Sequence, residues 1–411
     1  MRILFLNPVG ILGGAERALL DLLACLRKLD PSLSLFLLAG TPGPLLDEAQ
    51  ALGVNARLLP LPEKLSALGD SGLRNQGPRA LWGFARKLAP TPGLLAAYLH
   101  ALRLEVRALR PHLLHSNGIK THLLSPATAG LPVARVWHIH DFVGERPLVR
   151  RALGGLRSLA TAAIANSHAV GEDARAVLGP VPVHVVYNGV DVERFSPGPG
   201  EGARLDRLAG LPPAPAGTLR IGLVATYARW KGHEVFLQAA AGLVRECPTL
   251  SLRFYLVGAP LYRTQDSQFS EAELRGLVKA LGLEGQVGLV PFQQEPVDIY
   301  RSLDIFVHAS TRREPFGLTI AEAMACGRPT LLSRASGAAE QLTDGEEALS
   351  LPPGEPLALT AALRGWVENA DLRERLGRAA RTAAVARFSR ERYARQVLAL
   401  YRTLPMARGT P

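Results

Sequence analysis

The sequence predicts an α/β protein built from two doubly wound, parallel-sheet domains facing a central cleft. Three observations carry that expectation. Short apolar runs alternate with helix-patterned segments along most of the chain, which implies parallel strands with helices on both faces. The rhythm occurs twice, with a Pro/Gly-rich linker at 197–217 between the halves. Finally, 411 residues exceed what one ordinary core holds, which favours two domains of similar size.

The first half, 1–196, opens with an apolar strand at 2–7, a turn Gly10-Ile-Leu-Gly13-Gly14, and a helix carrying Leu19, Leu22, Leu23 and Leu26 on one face. Gly13 and Gly14 let a ligand come close to the backbone, and a helix N-terminus after such a loop suits a phosphate. The spacing is not the dinucleotide fingerprint G-x-G-x-x-G, and a plain tight turn explains it as well. Further strands are expected at 33–39, 54–59, 112–115, 133–139, 162–166 and 183–187. Ligands of such sheets bind beyond the carboxyl ends of strands, so Ser116-Asn117-Gly118 and His138-Ile-His140-Asp141 stand out. A strand-end histidine such as His140 is, by itself, more often structural than catalytic. The stretch 79–110 reads as two helices broken near Pro90 and Pro92, with Trp82, Phe84, Leu94 and Tyr98 among arginines. It fits either a membrane-surface element or an ordinary helix pair with one solvated face.

Asn188-Gly-Val-Asp191 makes a turn after the last of these strands. The second half, 218–389, repeats the rhythm with strands at 220–225, 252–257, 287–292, 304–308 and 330–333. Arg229 and Lys231-Gly232 fall where its first strand ends and a helix begins, a place where cations meet a diphosphate. Solvated loop charges are the plainer reading.

The stretch 311–329, TRREPFGLTIAEAMACGRP, carries the densest chemistry. Pro315 disfavours helix at Glu314, and Gly317 supplies a flexible residue before a helix at 318–326. That helix is apolar almost all round, with Glu322 its only charge, so burial is expected. Helical side chains lean toward the N-terminus, so Glu322 is expected to point back at the unpaired amides of Gly317, Leu318 and Thr319. An anion-binding helix end between Glu314 and Glu322 suits a ligand with phosphates and sugar hydroxyls. Pairing of Glu322 with an arginine such as Arg334 is the competing reading.

Composition narrows the class. With 47% hydrophobic and 20% charged residues the chain is globular rather than disordered. Cys25, Cys247 and Cys326 have neither metal-ligand nor disulfide spacing, which fits a reducing cytoplasm. No uncharged apolar run approaches the roughly 20 residues that span a bilayer. The start, Met-Arg-Ile-Leu-Phe-Leu-Asn, reads as a strand rather than a signal peptide. Formal net charge is +11, and between Lys64 and Arg157 there are 14 Lys and Arg against Asp70, Glu105, Asp141 and Glu145. A face of that sign, at 64–157, attracts an anionic membrane, an acidic substrate or nucleic acid. Nucleic acid is not expected, because no aromatic-interleaved strand or recognition helix accompanies the charge.

These residues resemble the retaining nucleotide-sugar glycosyltransferases of family 4, which have the GT-B fold of two Rossmann-like domains. The likeness runs over nearly the whole chain. Its most specific part is EPFGLTIAEAMACGRP at 314–329, similar to that family's E-x7-E region. Supporting it are Gly13-Gly14-Ala-Glu-Arg17, His140-Asp141, Asn188-Gly-Val-Asp191 with Phe195, Lys231-Gly232, Leu256-Val-Gly258 and Phe388-Ser389, all in family order.

The resemblance implies transfer of a sugar from a nucleoside-diphosphate sugar to a carbohydrate or lipid-linked acceptor, with retention. No cofactor or metal is expected, and no D-x-D motif occurs. Glu322 would bind the ribose hydroxyls, Glu314 the transferred sugar, and Gly317, Leu318 and Thr319 the distal donor. Lys231 and Arg229 would face the diphosphate, Gly258 would line the nucleotide site, Gly13 and Gly14 would close on the diphosphate, and His140 would contact the sugar. A last helix at 390–411 would cross back to the first domain, and the protein would be cytoplasmic, peripheral on the inner membrane face. Two departures stand out: Ala225-Thr226 replaces the usual Gly-Arg pair, leaving Arg229 as substitute, and the loop at 336–340 keeps one glycine of two. The polar stretch 261–268 reads as part of the nucleotide pocket or a lid. An epimerase or phosphorylase of the same fold, or a non-catalytic nucleotide-sugar-binding scaffold, remains open at this level.

Overall fold

The computed structural model describes residues 1–62, 92–260 and 267–405. The chain divides into two compact units, Met1–Gly189 with Arg390–Pro411, and Val190–Ser389.

Among the described residues, the first unit holds β1 (Arg2–Asn7), β2 (Ser34–Ala39), β3 (Asn55–Leu58), β4 (Leu113–Asn117), β5 (Ala134–Ile139), β6 (Ala162–Ala165) and β7 (Val183–Val185). They form one parallel sheet in the order β3-β2-β1-β4-β5-β6-β7. β1 shows why its run of apolar residues does not alternate with polar ones. Ile3 and Phe5 enter a core with Leu22 and Leu26 of the helix Gly14–Leu29 and with Tyr393, Val397 and Tyr401 of the helix Arg390–Thr403. Leu4 and Leu6 enter the core on the opposite face, with Leu102 and Val106 of the helix Pro92–Leu109. Successive side chains of a strand point to opposite faces, so a strand covered on both sides is apolar throughout.

The second unit holds β8 (Leu219–Val224), β9 (Leu252–Gly258), β10 (Val287–Pro291), β11 (Ile305–His308), β12 (Thr330–Ser333) and β13 (Leu349–Leu351), parallel in the order β10-β9-β8-β11-β12-β13. Ile221, Leu223, Phe254, Leu256 and Val307 from these strands pack with Phe236 and Leu237 of the helix His233–Glu246 and with Leu363 and Trp366 of the helix Pro356–Val367.

In both sheets the order reverses at the first strand, between β1 and β4 and between β8 and β11. Helices leave opposite faces of the sheet at such a point, and the loops beyond the strand carboxyl ends part to form a crevice.

Several details differ from the sequence expectation. β13 was not anticipated; three half-buried residues, Leu-Ser-Leu, carry too little pattern to mark a strand. Within 197–217, read as a linker, Gly202–Leu208 forms a helix with Leu205 and Asp206 buried. Asp206 accepts from Arg220 at 2.9 Å and from the Tyr255 hydroxyl, which fastens that stretch to β8 and β9. The basic face at 64–157 and the helix pair at 79–110 lie partly outside the described residues. The described helix Pro92–Leu109 buries Leu102 and Val106 and exposes Leu94 and Leu104. Residues 261–266 of the polar stretch 261–268 also lie outside the described residues. Among the described residues, no helix is long and apolar enough to cross a membrane.

Candidate functional site

At the carboxyl end of β8 the chain passes through the turn Arg229–Lys231 into the helix His233–Glu246. Gly232 makes that passage possible: it adopts φ +80°, and a Cβ there would meet the Ala309 carbonyl oxygen at 1.9 Å. The turn is tied to the loop after β11, since the Thr311 amide donates to the Trp230 carbonyl at 2.8 Å. Lys231 is thereby brought to Glu314, with Nζ 2.5 Å from Oε1. The other carboxylate oxygen, Oε2, lies 2.7 Å from His308 Nε2 and accepts from Ser310 Oγ at 2.6 Å. Glu314, Ser310 and His308 are buried. Burial by itself pushes the Glu314 carboxyl up, but the Lys231 ammonium and His308 outweigh it and hold the group well below the usual carboxylate range.

Pairing Glu314 with Lys231, a partner 83 residues away, also explains how a buried carboxylate is tolerated here. His308 and Ser310 were not singled out in the sequence. The signal was present, because His308 ends β11 and Ser310 follows it, and ligand-binding residues of these sheets cluster at strand carboxyl ends.

The helix expected at 318–326 spans Leu318–Ala325, capped by Gly317. Ile320, Ala321, Ala323, Met324 and Ala325 are buried, and Leu318 and Thr319 are half-buried at the open amide end. Glu322 is half-buried rather than enclosed, and its Oε2 accepts from the Tyr300 hydroxyl at 2.5 Å. Arg334, the alternative partner, donates to the Ser350 carbonyl instead. Tyr300 is fully buried, edge-on to Phe306 and Phe195 with ring centroids 5.8 and 6.0 Å apart.

Arg229 and Lys231 differ in their surroundings despite their spacing. The Arg229 guanidinium bonds Glu273 and lies 4.3 Å over the Phe269 ring, with 42% of the side chain exposed, so part of its charge is already matched. Gly258, expected to line a nucleotide site, answers first to packing: a Cβ would sit 2.0 Å from the Ala225 carbonyl oxygen.

In the first unit, the expected diphosphate loop is occupied from within. Gly13 caps the helix Gly14–Leu29, and its amide donates to Glu16 Oε2 at 3.1 Å. A diphosphate bound by that amide would have to displace a buried carboxylate. His140, at the end of β5, lies with Nε2 2.6 Å from Asn117 Oδ1, and Asp141 beside it pairs with Arg146. Behind them lies a histidine cluster. His138 Nδ1 is 3.2 Å from His115 Nε2, whose ring also meets the Tyr401 hydroxyl at 2.6 Å, and His122 stacks on Trp137. Burial lowers every one of these rings: His140 to about 4, His122 to about 3, and His115 and His138 well below 6.5.

Comparison with known proteins agrees with this arrangement. Residues 12–194 match the family model described as Glycosyltransferase Family 4, and residues 213–383 match Glycosyl transferases group 1. The D-inositol 3-phosphate glycosyltransferase of Corynebacterium urealyticum is 32% identical over 227 residues, covering 54% of this chain and 51% of that protein. That of Streptomyces bingchenggensis is 30% identical, covering 65% of this chain and 55% of that protein. The chain thus spans about half the length of these curated relatives. That of Paenarthrobacter aurescens, at 27%, covers 81% of this chain and 85% of that protein. Among solved structures, Anabaena Alr3699/HepE in complex with UDP and glucose superposes with a TM-score of 0.78 at 23% identity, covering 98% of this chain and 100% of that one. The sucrose-phosphate synthase of Thermosynechococcus elongatus gives 0.72 at 20%, covering 98% of each. At such identities the likeness speaks to the fold.

Proposed function

Because this chain belongs to glycosyltransferase family 4 and has the GT-B pair of Rossmann-like domains, we propose that it moves a sugar from a nucleoside diphosphate to an acceptor hydroxyl with retention of configuration. The observation that carries the reading is the Lys231–Glu314 ion pair at the carboxyl ends of β8 and β11, with His308 and Ser310 on the second carboxylate oxygen. UDP in Alr3699/HepE supports a nucleotide as part of the donor.

Glycosyl transfer passes through an oxocarbenium-like state while negative charge grows on the departing diphosphate. Pre-placed donors aimed at that charge are worth roughly 3–4 kcal/mol each. Lys231 and the amides of Leu318 and Thr319 fill that role, and Glu322, held by the Tyr300 hydroxyl, takes the ribose hydroxyls. Glu314 stays ionised at neutral pH and faces the sugar as a charge, not as a base, since both oxygens hold partners. The leaving phosphate or the acceptor itself then takes the acceptor proton, and no step calls for a metal. The acceptor, a carbohydrate or a lipid-linked sugar, falls to the first unit beside His140. Synthesis of cell-surface polysaccharide or glycolipid on the inner face of a membrane is the role this chemistry fits.

A panel of nucleotide sugars screened by thermal shift selects the donor, because a ligand that binds only the folded chain raises its midpoint. Product NMR then reads the anomeric configuration, and an inverted product would overturn retention. Epimerised donor formed without any acceptor would favour the epimerase instead.

A further inference from the structure

We propose that Glu16 is a positioning residue which, acting through Asn7 and Asn117, holds His140 as the Nε2–H tautomer, so that Nδ1 meets a substrate hydroxyl as a hydrogen-bond acceptor. The chain of contacts starts at a group with no choice. Glu16 Oε2 takes the Gly13 amide and Oε1 lies 3.2 Å from Asn7, so the Asn7 atom there is its NH2 group. The Val9 carbonyl, 2.6 Å from the same nitrogen, demands the same orientation. Asn7 therefore turns its oxygen to Asn117, 2.7 Å away, which must present NH2 in return. The Ala15 carbonyl, 3.4 Å from that nitrogen, agrees. The oxygen of Asn117 is then left for His140 Nε2 at 2.6 Å, and an amide oxygen accepts only, so Nε2 carries the proton.

Each link lies at a strand carboxyl end: Asn7 closes β1, Asn117 closes β4 and His140 follows β5. The ring is neutral at physiological pH because burial lowers it to about 4, so Nδ1 bears a lone pair. That atom is buried with no hydrogen-bond partner among the described residues. An acceptor left without a donor in such a place favours a ligand that brings one, and a sugar hydroxyl does. A carbonyl or carboxylate there would be repelled. The hydroxyl rests on the transferase reading; the tautomer does not.

The test is long-range 1H–15N NMR of the full-length, 15N-labelled protein at neutral pH, with the His140 signals assigned from His140→Gln. The expected spectrum has a pyrrole-type Nε2 and a pyridine-type Nδ1; the opposite pattern, or an average of the two, overturns the proposal. In Glu16→Gln the amide oxygen must take the Gly13 N–H, which presents NH2 to Asn7 in competition with the Val9 carbonyl, so that Asn7 and the links beyond it no longer hold a single orientation. The Nδ1–H form of His140 should then become populated and kcat/KM should fall about tenfold, one hydrogen bond's worth. An unmoved tautomer in a folded Glu16→Gln protein overturns the role of Glu16, because a merely structural carboxylate would shift the melting point and leave the ring alone. If that variant does not fold, Asn117→Leu removes the oxygen that demands Nε2–H and should give the averaged spectrum; an unchanged one overturns the relay. Saturating sugar substrate should move the Nδ1 signal toward the hydrogen-bonded range, and turnover without such movement removes the hydroxyl contact. A protein inert to every donor yet holding Nε2–H sinks the transferase reading and leaves the relay standing.

Discussion

Lys231 Nζ lies 2.5 Å from Glu314 Oε1, joining the loop that leaves β8 to the loop that leaves β11 across 83 residues of sequence. A buried carboxylate and a half-buried ammonium at adjacent strand ends gain from each other, and the His308 ring and the Ser310 hydroxyl take up the remaining oxygen. The pair is therefore both a structural fastening and the strongest candidate for donor chemistry.

Lys231→Met should lower kcat by roughly 100- to 1,000-fold, the usual loss for one charge-stabilising donor. It should also destabilise the second unit by about 3 kcal/mol, since it leaves Glu314 buried without its cation. Urea unfolding and steady-state kinetics on the same preparation separate the two effects. Near-wild-type turnover from a destabilised variant would show that the pair only fastens loops.

Tyr300→Phe removes one hydrogen bond from Glu322 while keeping the buried ring. About 1 kcal/mol of donor binding should go with it, a rise in donor KM of about fivefold with kcat little changed. A fall in kcat at constant KM would place Glu322 at the reacting sugar rather than the ribose.

Arg229→Ala breaks an exposed pair with Glu273, so its effect on stability should stay within about 1 kcal/mol. Turnover should drop far less than in Lys231→Met. Equal losses in the two variants would restore Arg229 to the diphosphate role expected from its spacing.

Acid should loosen the first unit more than the second, where burial lowers His233 to about 4 in the same way. The folded rings of His140 and His122 hold protons only below about 4 and about 3, against an ordinary 6.5. The unfolded chain thus binds more protons in between. Their contribution is complete above about 6.5 and is lost as pH falls toward 4, roughly 2 kcal/mol per ring between pH 7 and 5. Glu314 works lower, because its folded value is depressed: its stabilisation is present above the ordinary carboxylate range and fades only in stronger acid. Hydrogen exchange across pH 7 to 5 reads the difference; uniform loss of protection in both units would contradict it.

Much of the fold was open to reading because its signals are short-range. The apolar run of β1, the glycines at 13 and 14, and the proline and glycine before the helix Leu318–Ala325 each act over a few residues. The pattern failed where an element was too short, as at β13, or where a proline-rich stretch packs through one buried acid, as Asp206 does. Glu314, Lys231 and His140 were visible as chemistry-bearing residues at loop and strand ends. Their partners His308, Ser310, Asn7 and Glu16 were not singled out, although His308 and Ser310 stand at a strand end and Glu16 lies within the motif at 13–17, because the neighbour each one meets is not written locally.

Taken by itself, the sequence determined two α/β domains, the places where strands give way to loops, and the chemistry-bearing residues that stand there. Only the tertiary structure decided that Lys231 meets Glu314 while Arg229 turns to Glu273, and that the Gly13 amide meets Glu16. The reason is range: periodicity and turn chemistry are local, whereas an ion pair or an amide relay depends on which strand ends the sheet order places side by side, as it does β1 with β4 and β8 with β11.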